Sequence, residues 1–71
     1  MTNGDAVIQA INGAVNVAID VSADEQTIRA LVHYMGGVWT ALEQNGIEFD
    51  HSTITGMIDT AQRAEKVFVA K

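Results

Sequence analysis

Apolar residues recur every three or four positions through the middle of the chain, at Ile28, Leu31, Val32, Met35, Val38, Trp39 and Leu42. That spacing gathers them on one face of an α-helix. Just upstream, Ser22-Ala23-Asp24-Glu25 has the form of a capping box. In it the Ser22 hydroxyl accepts from the Glu25 backbone N–H and the Glu25 carboxylate accepts from that of Ser22. Asp24 and Glu25 also favour the positive end of the helix dipole. Asn45-Gly46 supplies a left-handed stop. The pattern predicts a helix over 23–44, with Leu31, Met35 and Leu42 buried.

A later stretch repeats the period more weakly. Ile54, Met57, Ile58, Ala61, Ala64 and Phe68 share one face, with Thr55, Asp59, Gln62, Arg63 and Lys66 opposite. This predicts a helix over 52–69, capped by Asp50 or Ser52, with Lys66 and Lys71 near its negative end. Asp59 and Arg63 stand at i and i+4 in the favourable order, as Glu25 and Arg29 do.

The first twenty residues fit two patterns. As a helix over 4–20 they place Val7, Ile11, Ala14, Val15, Ala18 and Ile19 on one face, opposite a polar stripe of Asp5, Gln9, Asn12, Asn16 and Asp20. As a β-hairpin over 6–21 they set Asn12-Gly13 between two β-branched runs, with Val15, Val17, Ile19 and Val21 alternating after the turn. The arm before that turn alternates poorly, and a lone hairpin needs helices to cover it, so helix is preferred. The expected fold is therefore all-α, one three-helix domain over 1–71. The alternative is an α+β domain with the hairpin packed on two helices.

Size, charge and composition narrow what such a domain can do. At 71 residues the chain has one small core, and domains of this size often gain stability from a disulfide, a metal or a partner subunit. It contains no Cys, so disulfides, thiolate metal sites and a cysteine nucleophile are excluded. Net charge is −5, the only cations are Arg29, Arg63, Lys66 and Lys71, and residues 30–62 hold none. Phosphate recognition relies on clustered cations, so direct nucleic-acid binding and docking to anionic membranes are not expected. Neither a signal peptide nor a membrane span is legible, which points to a cytoplasmic protein.

Catalytic chemistry finds no foothold. His33 and His51 lack metal-motif spacing, Ser22 and Ser52 read as caps, and the glycines of NGAVN and MGGVW do not form a phosphate loop. No cofactor and no enzymatic activity are expected. The unusual element is the middle helix, whose polar stripe is only Arg29, His33, Gly36, Thr40 and Glu43. Beside its main apolar face lies a second one, of small residues and one tyrosine: Ala30, Tyr34, Gly37, Val38 and Ala41. A helix apolar over most of its circumference must be covered over most of it. Such a helix can be the centre of a bundle, or its second face can be an interface.

Gly36-Gly37 marks either a close approach of another surface, because glycine inside a helix costs about 1 kcal/mol relative to alanine, or a kink. Of the aromatic residues on this helix, Trp39 reads as core before interface and Tyr34 is the better interface candidate, while Phe49 either plugs the core or stands exposed. The expected contact is apolar, near Tyr34 or Trp39, and rimmed by Glu43, Glu48 and Asp50. Its occupants would be a second copy, giving a homodimer, and a protein partner. The function expected is that of a small acidic regulatory or adaptor protein acting stoichiometrically on a larger protein. A structural subunit of an assembly, or an acidic phosphate mimic that inhibits a nucleic-acid-binding protein, are the alternatives.

Overall fold

The computed structural model describes residues 3–69, which form α1 (Asn3–Asp20), α2 (Glu25–Gln44) and α3 (His51–Val69). No strand occurs among the described residues, and Asn12-Gly13 lies inside α1, so the hairpin reading of 6–21 gives way to the helical one. The physical reason is burial. Wound as a helix, the segment drives Ile8, Val15 and Ala18 inward, whereas Val17 and Val21, which a strand would align with Val15, are 60% and 68% exposed.

The turn between α1 and α2 corrects the expected capping box. Ser22 does not cap α2; it adopts φ 57°, and its N–H donates to the Ile19 carbonyl at 3.1 Å while the Ala23 N–H donates to that of Ala18 at 2.9 Å. Those two bonds are a Schellman closure of α1, with serine in the left-handed position that glycine usually takes. Capping of α2 falls to Asp24, whose side chain accepts from the Thr27 N–H at 3.3 Å, so the helix begins two residues later than expected. The same closure ends α2: Gly46, at φ 82°, donates to Glu43 and Ile47 donates to Leu42. Asp50 stands at the cap position of α3, its carbonyl accepting from Thr53 and Ile54, while Ser52 lies inside the helix. Lys66 falls in the last turn of α3 as expected, whereas Lys71 lies outside the described residues.

Two apolar clusters make the core. One joins Ile8, Met35 and Met57 and is flanked by Ile11, Val38, Trp39, Leu42, Phe49 and Ile54. The other joins Ala18, Ile28 and Ala64, flanked by Ile19, Leu31, Val32 and Phe68 among others. Met35 is buried as expected, but Leu31 and Leu42 are half-buried. Phe49 is a plug for the first cluster rather than an exposed anchor.

α1 packs on both other helices more extensively than they pack on each other. Beside the apolar clusters that both helices enter, its contact with α3 carries a polar seam, contrary to the expected division of faces. Asp5 is fully buried and accepts from the Asp50 N–H at 3.0 Å; the Gln9 amide donates to Thr53 Oγ1 at 3.3 Å; the Asn16 amide donates to Thr60 Oγ1 at 3.0 Å. Arg63 closes the far end, donating to Asn16 Oδ1 at 2.8 Å and pairing with Asp20. It thus pairs across helices rather than with Asp59. The stripe that reads as the outer face of α1 is therefore its seam with α3, and Val7 and Ala14, expected in the core, stand exposed.

Candidate functional site

The polar seam fixes the rotation of α1, and with it the surface the protein presents. Because Asp5, Gln9, Asn16 and Asp20 point to α3 or its N-terminal cap, the opposite flank, carrying Val7, Ala10, Ala14, Val17 and Val21, faces solvent. Val7, Val17 and Val21 are 47%, 60% and 68% exposed. Their spacing of three and four residues along α1 is that of a helix seam awaiting a partner.

α2 is oriented by the same reasoning. Val32, Met35, Gly36 and Trp39 line a groove of about 180 Å³ with Met57, Ile58 and Ala61 of α3. The other flank of α2, which holds Tyr34 and Ala41, consequently turns toward α1. Tyr34 is 61% exposed, and Ala30, Gly37 and Ala41 are exposed beside it. Val38 departs from this set, since it is half-buried against Ile8, Met35 and Met57. Trp39 departs as well: it packs on the same cluster, and its indole Nε1 is buried with no hydrogen-bond partner.

Two apolar surfaces result. The first comprises Val7, Ala10, Ala14, Val17 and Val21 of α1 and Tyr34, Ala30 and Ala41 of α2, all exposed and none charged. The second is the α2–α3 groove, where Ile58 and Ala61, expected on the buried face of α3, are exposed; Ile58 is 51% exposed.

Glu43, Glu48 and Asp50 are all exposed at the end of the bundle where α2 stops and α3 starts. The Asp50 backbone bond to Asp5 ties that end to the first turn of α1, so these carboxylates border one end of the α1–α2 surface rather than encircling it. The exposure of the α1 set Val7, Ala10, Ala14, Val17 and Val21 is not expected from the sequence, which places Val7 and Ala14 in the core. Their signal, the 7-10-14-17-21 spacing, overlaps the inward set so closely that only the position of α3 separates the two.

His33 and His51 are exposed, and among the described residues no three His, Asp or Glu side chains converge as metal ligands would. No helix among those residues is long and apolar enough to cross a membrane. No protein-family model, curated protein or solved structure matches this chain.

Proposed function

We propose that this is a small protein-binding regulatory or adaptor protein, cytoplasmic and working as a homodimer. It acts stoichiometrically, without catalysis, by covering a surface of a larger protein. One observation carries the reading: α1 exposes the uncharged set Val7, Ala10, Ala14, Val17 and Val21, and α2, which packs on α1, exposes Tyr34 beside Ala30, Gly37 and Ala41. The small side chains of α1 let a partner helix approach closely, and Tyr34 supplies a rigid aromatic group with a hydroxyl at its tip. Such central aromatic anchors typically carry most of an interface's energy, while rim charges mainly set the approach rate.

Affinity capture from the native host's lysate, with the retained protein then purified for binding measurements, tests this. Tyr34→Ala weakens that binding by about tenfold or more, a loss of at least ~1.4 kcal/mol, with helical content unchanged. Val17→Asp, which places a charge in the middle of the α1 flank, weakens it further. Reversing Glu48 and Asp50 to Lys mainly slows association at low salt. Loss of binding on those reversals with Tyr34→Ala inert would favour the phosphate-mimic reading instead, for which the three carboxylates at one end of the bundle are the motive.

A further inference from the structure

We propose that the α2–α3 groove is the homodimer interface, and that a second copy docks there with its α2 antiparallel about Gly36. This deepens the homodimer reading above and centres the second copy on a groove that Tyr34 does not line.

The groove takes in the middle of α2, from Val32 to Trp39. Shallow depressions extend it in both directions, toward Arg29 and Phe68 through the shared Val32 and toward Thr40 and Gln44 through the shared Gly36 and Trp39. Gly36 lies at the centre. A Cβ built on it meets nothing within 4 Å, so the intrachain packing gives no reason for glycine, although glycine there weakens the helix. A second helix crossing at this point is a reason, because it can approach the backbone most closely where no side chain intervenes.

The charges decide the direction. Arg29 and Glu43 each stand seven residues from Gly36, about 10 Å along the helix axis and within roughly 20° of the same line. In a twofold antiparallel pairing, position 36+k faces position 36−k of the other copy. Arg29 then meets the partner's Glu43, and the reverse, giving two opposite-charge contacts. A parallel pairing sets like against like. Both side chains are exposed; Arg29 lies over the Phe68 ring at the groove's end, bonded to Glu25 at 3.2 Å. Between the charges, the Thr40 hydroxyl donates to the Gly36 carbonyl at 2.9 Å, so its methyl group is left for contact.

Pairing about this axis also brings the half-buried Trp39 and Val32 and the exposed Ile58 under cover. A specific interface buries about 800 Å² on each partner. The domain's long side spans 38 Å by 19 Å between Cα atoms, so an interface of that area would take in most of one side of the bundle.

Sedimentation velocity of the full chain from micromolar to millimolar concentration tests the proposal. The expected result is a concentration-dependent dimer. Arg29→Glu and Glu43→Arg, each alone, weaken it by about tenfold. An equimolar mixture of the two variants restores it, since every 29–43 contact again joins opposite charges. Gly36→Leu dissociates it while circular dichroism shows the helices retained, and Tyr34→Ala leaves it intact. A wild-type chain monomeric throughout that range overturns the proposal, as does a dimer indifferent to both reversals, or a mixture no tighter than its components. A monomeric wild-type chain would also remove the homodimer from the reading above, whereas a dimer indifferent to the reversals would overturn only this interface; heterologous binding at the Tyr34 flank is measured separately.

Discussion

α3 makes two seams, and they are built on opposite principles. Against α1 it is held by side-chain hydrogen bonds from Gln9, Asn16 and Arg63, with Asp5 buried at one end. Against α2 it offers only apolar side chains, and the two helices part to leave a groove. Hydrogen bonds have short, directional optima and draw two helices to a defined distance. Apolar contact has no such optimum, and here the small side chains at Gly36 and Ala61 leave the groove unfilled. The polar seam therefore specifies the arrangement, and the apolar one leaves surface available for another molecule.

That contrast can be broken most severely from the core both seams share. Ile8 is fully buried between Met35 and Met57. Ile8→Ala should lower stability by about 2–5 kcal/mol, a large part of what so small a domain has. Thermal unfolding followed by circular dichroism measures it, and an unchanged melting temperature would mean that the two clusters do not depend on α1.

The polar seam is probed at Asn16, which donates to Thr60 and to the Asn12 carbonyl and accepts from Arg63. Asn16→Ala should lose about 1–3 kcal/mol in urea unfolding, because the part-buried Thr60 hydroxyl is left without this donor. A loss below that range would assign the rotation of α1 to its apolar side alone.

The opposite sign is expected at Gly37, on the exposed side of α2, where a Cβ meets nothing within 4 Å. Gly37→Ala should raise stability by about 0.4–1 kcal/mol through the unfolded chain's lost freedom. A fall would reveal a contact on that side of the helix.

The smallest effect belongs to the groove. Ile58→Gln should change the stability of the dilute chain by no more than about 0.5 kcal/mol, as expected of an exposed position. A loss well above that would show the α2–α3 seam to be closed within one chain.

Much of this architecture was legible without coordinates. The heptad-like run from Ile28 to Leu42 and the weaker one from Ile54 to Phe68 mark α2 and α3, because an amphipathic helix announces itself through its own spacing. Asn45-Gly46 marks the end of α2 for an equally local reason, the tolerance of glycine for positive φ. Local pattern misled at Ser22. Its distance from Glu25 suits a capping box, but the carbonyls of Ala18 and Ile19 needed donors first, and closing α1 claimed the residue. The candidate interface divided in the same way: Ala30, Tyr34, Gly37 and Ala41 are exposed as a set, whereas Val38 and Trp39 are held by the core, a distinction that depends on where α1 and α3 sit.

The sequence by itself determined three helices, their approximate ends, an acidic chain without clustered cations, and a middle helix with more apolar surface than one neighbour covers. Which flank of α1 faces inward was decided only in the tertiary structure. Both of its stripes have helical spacing, so periodicity cannot rank them. The choice was made by Thr53, Thr60 and Arg63, more than forty residues away, which offer hydrogen bonds to the polar stripe and so turn the valines and alanines out to solvent.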